Sequence, residues 1–356
     1  GIQFKREVFA SYPAKALIVH LSASKAKALS FTLDINRPER FTTVAQQNTL
    51  LMKGTLNNGA GGEGMKYKVI VTPVLKGGSI QTTGNKLVIK NATEVTLVIT
   101  SATNYRLHYP DYINSNYERE LEQLTATAVS KPYSTLRREH IADFSSYMKR
   151  VSLQLGNNKN ALPTDELLQK NKQTQNEQQL YALYFQYGRY LLLSSSRQGS
   201  LPANLQGMWA NKIQTPWNCD YHTDVNVQMN YWPAEVTNLS ETHLQLTELI
   251  ASLQAPGTKT AQTQYHAGGW VMHPITNVWG FTAPGEHPSW GLHVGASAWM
   301  NQHLWMHYAF TKDQAYLQKV FPILQSAATF YLDWLVKDPA TDKLVSGPAA
   351  SPENNF

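Results

Sequence analysis

Alternation of apolar and polar residues governs the first third of the chain. Tyr67, Val69 and Val71 share one side of a strand-like run, and Leu87 with Ile89, then Val95, Leu97 and Ile99, repeat the two-residue period with frequent β-branched side chains. Gly and Asn clusters punctuate these runs at GTLNNGAGGEG, LKGGS and TTGNK, where tight turns need them. Strands at roughly ten-residue spacing predict a β-sandwich-type domain over residues 1–114. Its first residues already read as mid-domain strand, so the domain is expected to be incomplete at its N-terminus.

The period changes after Asn114. YERELEQLTATAV and STLRREHIADFSSYMKRV carry helical spacing, with Ser134 and Thr135 as candidate N-caps and Leu136, Ile141, Phe144, Met148 and Val151 on one side. A helical linker over 115–150 is expected. Beyond Pro163, Leu180, Leu183, Tyr184, Tyr187 and Leu191 mark one helix face. A second helix is predicted between Met229 and Leu253 and a third from Leu292 to Phe310. A fourth is predicted from Phe321 to Val336, with Leu324, Ala328, Tyr331 and Leu335 as its stripe and Pro322 in its first turn. Loops of roughly 20 to 35 residues between these helices do not fit a simple bundle. Residues 151–356 therefore read as the first part of an α/α toroid whose loops build a site at one end. The fold class expected is multidomain β plus α.

A length of 356 residues is enough for two domains, and 42% apolar with 16% charged residues describes a globular chain. The net charge of +6 comes from scattered Lys and Arg without a basic block, which argues against nucleic acid as a partner. One cysteine, Cys219, excludes an internal disulfide framework and reads as a packing residue. No run of 18 apolar residues predicts a membrane span. No leader is visible at Gly1, though one could have been removed. The sequons at Asn91 and Asn238 carry no weight, because such triplets are common by chance.

Candidate chemistry concentrates in three segments. The first, Leu201 to Glu235, sets Trp209, Trp217, Tyr221, Tyr231 and Trp232 among Asn204, Gln206, Asn218, Asp220, His222, Asp224, Asn226, Gln228, Asn230 and Glu235. Aromatic rings stack on the C–H faces of a pyranose while amides and carboxylates satisfy its hydroxyls. The competing reading is an aromatic corner of a core. The second segment, residues 268–291, holds Trp270, His273, Asn277, Trp279, Glu286 and Trp290. The third is the end, LVSGPAASPENNF, with Glu353 in a loop. A glycosidase needs a carboxylic acid to protonate the leaving oxygen and a second group to activate water or attack. Asp220, Asp224, Glu235, Glu286 and Glu353 are candidates, and spacing does not choose among them. Asp224 and Asn226 would share one face if their segment is extended. His303 and His307 stand at i, i+4 without an HExxH frame or an evident third ligand, so they read as two helix-face histidines and no metal is expected. GxSxG and a phosphate-binding glycine loop are absent.

SSSRQGSLPANLQGMWA, DYHTDVNVQMNYWPAEVTNLSE, HLWMHYAFTKD and SGPAASPEN, in this order, resemble glycoside hydrolase family 95, whose best-known members are α-L-fucosidases. HIADFSSYMKRVSLQLG is similar to the family's linker-to-barrel junction. The resemblance implies an N-terminal β-sandwich-type domain, a helical linker, an (α/α)6 barrel and a C-terminal β domain. It implies release of terminal α-L-fucose, typically α-1,2-linked, with inversion. Glu353 would be the general acid. Two asparagines before MNYWPAE would hold the attacking water, together with an aspartate far downstream. The second of these is Asn226, and Asp224 stands in place of the first. Asn204, Gln206, Trp209, Trp217, His222, Tyr231, Trp232, His273 and Trp279 are the expected sugar contacts. An L-galactosidase of the same family, a non-catalytic carbohydrate-binding protein and, more distantly, a glycoside phosphorylase remain alternatives. The implied partner is a fucosylated or L-galactosylated oligosaccharide, the implied setting extracytoplasmic (periplasmic or secreted) in a bacterium, and no cofactor is implied. The predicted helices are four or five of the twelve in such a barrel, and the downstream aspartate lies outside these residues, so a partial chain is expected.

Overall fold

The computed structural model describes residues 1–156, 162–347 and 350–352. These fall into two compact units. The first comprises Gly1–Arg106 and Asp111–Ser146, the second Leu107–Pro110 and the chain from Tyr147 onward.

The first unit is built on strands β1 (Phe4–Ser11), β2 (Ala16–Ala23), β3 (Leu29–Leu33), β4 (Thr42–Gln46), β5 (Thr49–Asn57), β6 (Glu63–Lys76), β7 (Ser79–Thr83), β8 (Lys86–Ala92) and β9 (Glu94–Thr103). Six form an antiparallel sheet in the order β1-β2-β9-β6-β5-β4, and three form a second in the order β3-β8-β7. Leu50, Val71, Val95 and Leu97 of the larger sheet pack with Leu29, Leu87, Ile89 and Ala92 of the smaller. The sandwich expected from the two-residue period is therefore present, and its alternating apolar positions are the facing layers.

Central β9 is buried on both faces, which its VTLVIT run permits. Helices α1 (Tyr117–Val129) and α2 (Tyr133–Met148) follow. Ala128 of α1 and Leu136 of α2 pack with Ile18 and Val98 on the face away from the sandwich core. Lys68, buried on β6, donates to Glu118 and Glu122 of α1 at 2.8 Å each. Helix α2 starts at Tyr133, ahead of the predicted caps Ser134 and Thr135, because the Pro132 carbonyl accepts from the amides of Thr135 and Leu136. Tyr133 also stacks on His20, with ring centroids 3.6 Å apart, and donates its hydroxyl to Glu7 at 2.6 Å. That hydrogen bond, with help from Lys5 and Arg137 and against burial, holds the Glu7 carboxyl at about 2.

The second unit is helical: α3 (Thr164–Thr174), α4 (Gln178–Ser195), α5 (Asn226–Tyr231), α6 (Pro233–Val236), α7 (His243–Tyr265), α8 (Pro288–Gly291), α9 (Ala296–Thr311) and α10 (Gln314–Trp334). The single helix predicted between Met229 and Leu253 is three pieces. Pro233 has no amide to continue α5, and the chain turns again at Asn238 with φ 57° before α7 starts. Helix α10 begins seven residues before the predicted start, because the Asp313 side chain caps it by accepting from the amides of Ala315 and Tyr316. Pro322 is thus internal, and the buried stripe is Tyr316, Val320, Ile323, Ala327, Phe330 and Trp334, not the set around Leu324. On α4 the periodic residues Leu183, Tyr184 and Tyr187 are exposed, and the buried positions are Arg189, Leu192, Leu193 and Ser195. Arg189 donates to the carbonyls of Tyr147, Met148, Val151 and Thr237, filling four acceptors at chain reversals. Among the described residues no helix is long and apolar enough to cross a membrane.

Two outcomes follow from this packing. Gly269 has φ 67°, and a Cβ there would meet the Ser326 carbonyl oxygen at 2.0 Å and the Phe330 amide at 2.6 Å, both backbone atoms of α10. Gly269→Ala is expected to destabilise the helical unit by about 2 kcal/mol or more, read as a lowered thermal transition. The Glu7 carboxyl ordinarily ionises near 4.5 and is depressed here. The stabilisation it contributes is full above that ordinary value and is lost as pH falls through about 2. Tyr133→Phe should raise the Glu7 carboxyl toward its ordinary range, measured by NMR titration.

Candidate functional site

The aromatic segment is a loop up to Asp220 and then runs through a short strand into α5 and α6, whose buried residues brace it. A short strand β10 (Tyr221–His222) pairs antiparallel with β11 (Ile275–Thr276), which joins the first and second candidate segments. Thr223 extends the junction, its amide reaching the Pro274 carbonyl at 2.7 Å and its hydroxyl the His273 carbonyl at 2.9 Å. Gln228 donates to the Thr223 carbonyl at 2.6 Å. Tyr221 donates its hydroxyl to the Pro202 carbonyl at 2.9 Å. The Tyr231 hydroxyl pairs with Ser196 at 2.7 Å and accepts from the Ala203 amide at 2.8 Å. Two phenols on fixed elements therefore hold the first residues of the loop.

The segment also holds polar atoms without partners. Oε1 of Gln206, Nε2 of His222, Oδ1 of Asp224 and Oε1 of Gln228 are buried without a hydrogen-bond partner. Such atoms are uncommon, because each forfeits about 1–3 kcal/mol of solvation. Here four fall within one 23-residue stretch, read from positions 206 to 228. Burial raises the neighbouring Asp220 carboxyl, with His222 and Asn218 opposing the shift. Indole rings stand exposed at Trp209, Trp217, Trp232 and Trp279, Trp217 at 69%. Trp217, Asn218 and Cys219 are three consecutive left-handed residues with φ of 46°, 53° and 56°. A bulky residue avoids that region, so the turn stores strain while presenting the Trp217 ring edge-on to His222. Asn204 caps its own turn by accepting from the Gln206 amide. Cys219 is half-buried and its thiol meets the Thr215 hydroxyl, as a packing residue would.

The sequence-predicted positions separate into two groups. Gln206, His222 and Asp224 carry unpartnered buried atoms, and the four indoles are exposed, with Trp217 against His222. Tyr231 and His273 form the second group: both are fully buried. His273 donates from Nδ1 to the Thr282 carbonyl at 2.7 Å, which leaves Nε2 to accept from Tyr265 at 2.6 Å. With every polar atom engaged inside, these two are struts of the frame, and a direct sugar contact is not available to them. Asp224 and Asn226 do not share a strand face, because residues 223–225 form a turn and Asn226 is the first residue of α5, exposed. Glu286 is exposed. Glu353 lies outside the described residues. The third segment reaches the helical region through the Ala350 carbonyl, 3.2 Å from Nδ1 of His293.

Sequence reasoning missed one constellation. His303 and His307 are not surface residues of a helix face. Both are buried, and they meet Glu235 and His243. Glu235 accepts from Nδ1 of His243 at 2.8 Å and of His307 at 2.7 Å, and from Ser240 at 2.5 Å. Burial alone would raise this carboxyl, but the three donors outweigh it and hold it at about 2. Burial, with His243 beside it, lowers His303 to about 3. The ring of Tyr231 lies parallel to His243, with centroids 5.9 Å apart. The members of this constellation are split between the segment ending at Glu235, the turn at Ser240 and two separate helices, which a helix-by-helix reading divides.

Fold and site together define a protein with a two-sheet β unit followed in the chain by a helical unit that exposes indoles and holds unpartnered buried polar atoms in one segment. The model of the glycosyl hydrolase family 95 catalytic domain matches residues 132–356, and that of the glycosyl hydrolase family 65 N-terminal domain matches residues 1–108. The chain belongs to glycosyl hydrolase family 95. It is 33% identical to alpha-L-fucosidase 2 of Arabidopsis thaliana, covering 100% of this chain and 46% of that protein. It is also 33% identical to the probable alpha-fucosidase A of Aspergillus niger, covering 98% and 46% respectively. The chain thus spans about half the length of the curated relatives it matches. A solved structure described as "Putative kojibiose phosphorylase from human microbiome" shares the fold alone, at a TM-score of 0.64 and 11% identity over 98% of this chain and 45% of that one.

If Tyr231 staples the loop, Tyr231→Phe leaves the Ala203 amide and the Ser196 hydroxyl without their buried partner. A cost of about 1–3 kcal/mol is expected, seen as earlier thermal unfolding and faster proteolysis between residues 201 and 220. An unchanged melting curve would refute the stapling role.

Proposed function

We propose that the protein containing this chain is an exo-acting glycoside hydrolase that releases terminal α-linked L-fucose, typically α-1,2-linked, from oligosaccharides with inversion. The observation that carries this reading is the set of unpartnered buried atoms at Gln206, His222, Asp224 and Gln228 in a segment that also exposes indoles, with Trp217 against His222. Groups left without partners inside a protein are what a polyhydroxylated ligand satisfies, and flat rings beside them take its apolar face. Family membership and the names of the relatives give the sugar class.

In this reading Glu353 protonates the departing glycosidic oxygen as general acid. Water attacks from the opposite face of the ring. Asp224, with one carboxylate oxygen free of protein partners, accepts a hydrogen bond from that water, and the Asn226 amide at the start of α5 fixes its position. A carboxylate at Asp224 takes a proton more readily than an amide, so it assists the water directly. Gln206, His222 and Gln228 bind sugar hydroxyls, and Trp217 and Trp279 flank the ring. The protein would act outside the cytoplasm of a bacterium, as the family resemblance implies.

The test uses the full-length protein and fucose release from a 2′-fucosylated oligosaccharide. Glu353→Ala should slow this unactivated substrate by roughly 10²–10⁴-fold and an aryl fucoside with an acidic leaving group far less, since that group needs little protonation. Equal loss on both substrates would remove Glu353 from the acid role. Asp224→Asn should keep measurable activity while Asp224→Ala abolishes it. Two variants indistinguishable from the parent would make Asp224 structural.

A further inference from the structure

The second buried cluster of the helical unit supplies a ligand set. Glu235 belongs to α6, His243 opens α7, and His307 lies on α9. One ligand atom from each, Oε1 of Glu235 and Nδ1 of the two histidines, lies within 4.8 Å of the others, and all three side chains are buried. Behind them, His243 Nε2 is 2.8 Å from Nδ1 of His303. Ser240 engages the second oxygen of Glu235 and stands 3.3 Å from Nδ1 of His307.

A carboxylate with its side chain 1% exposed requires compensation. The groups meeting Glu235 are two imidazoles and a hydroxyl, none of them a fixed cation. Two imidazole nitrogens and one carboxylate oxygen from separate elements form a ligand set suited to zinc. The atoms behind them match what such a set needs. A ligating histidine has its far nitrogen held by a further group, as His303 holds His243, and a ligating carboxylate has its free oxygen held, as Ser240 holds Glu235. In this state hydrogen bonds draw Nδ1 of His243 and of His307 to 2.8 and 2.7 Å of Glu235 Oε1. Zinc bonds of about 2.0–2.1 Å in a tetrahedron would separate them to roughly 3.3 Å, a movement of about half an ångström. Each histidine would bind through Nδ1 as a neutral ring, its Nδ1 proton passing to Nε2, so that the ion takes the place of the two shared protons.

We propose that Glu235, His243 and His307 form a buried structural site for a divalent transition ion of the zinc type, with His303 orienting His243, Ser240 holding the far oxygen of Glu235 and a water completing the tetrahedron. The ion ties α6, α7 and α9 together beneath Tyr231, and so fixes the base of the loop. This inference does not depend on the glycosidase reading.

The experiment is metal analysis of the protein produced without a histidine tag in zinc-supplemented medium and desalted thoroughly. About one zinc per chain is expected. Chelation should lower the melting temperature by several degrees, Zn²⁺ should restore it and Mg²⁺ should not. Substitution by cobalt(II) should give the visible bands of a tetrahedral site. Glu235→Gln and His307→Gln should each lose most of the ion. Zinc below about a tenth per chain, with melting indifferent to chelator and Zn²⁺, would overturn the proposal and leave a hydrogen-bond network. Stoichiometric zinc that survives both substitutions would overturn it as well, by locating the ion elsewhere. Should the variants fail to fold, the cobalt spectrum of the parent and the NMR shifts of its histidine Nδ1 atoms on metal addition decide the same question.

Discussion

The burial of the Glu235 carboxylate is the constraint on which the helical unit depends. A charge placed between helices must be met by donors whose positions are fixed, and meeting it brings His243, His307 and Ser240 to one point. That point lies where α6 ends, α7 begins and α9 passes. The parallel contact of Tyr231 with His243 carries the constraint one step outward, and the Tyr231 hydroxyl carries it to Ser196 and Ala203. The loop starts there. A core of simple apolar packing would fix these helices less sharply, because apolar contact is non-directional.

Frame and loop treat polar groups in opposite ways. In the frame many polar atoms are engaged: Arg189 fills four carbonyls, His273 spends both nitrogens, and Tyr221 and Thr223 bond backbone. In the loop, Gln206, His222 and Asp224 keep atoms unpartnered, and three residues at Trp217–Cys219 sit in the left-handed region. Preorganised open groups on a rigid support are what a binding site requires, since a ligand then meets them without further ordering.

The first unit shows the same division on a simpler plan. Its two sheets are held by apolar facing layers, and specificity comes from a few polar fixtures such as Lys68 between Glu118 and Glu122 and Tyr133 between Glu7 and His20. The helices read as a linker from their position in the chain contribute Ala128 and Leu136 to its second apolar cluster. A helix following a β domain has no local feature that tells whether it spans a gap or covers a sheet, because both need one apolar stripe.

By itself the sequence determined the elements with strong local periodicity. The strands around Tyr67–Val71 and Leu87–Ile99 were legible because a half-buried strand must alternate, and the aromatic-amide loop was legible because its composition suits neither a strand nor a helix. Element ends were less so. A cap such as Asp313 or a missing amide such as Pro233 competes with propensity over a single turn, and the competition is settled by what the next element leaves room for. The tertiary structure alone decided which loop residues are frame and which are open: Tyr231 and His273 look the same in sequence as Trp217 and His222, yet the former have partners brought from 8 to 35 positions away. It also decided the Glu235–His243–His303–His307 cluster, whose members lie up to 72 positions apart. Periodicity reports which side of an element faces inward. It carries no information on which two inward faces meet, because that depends on how helices cross in three dimensions.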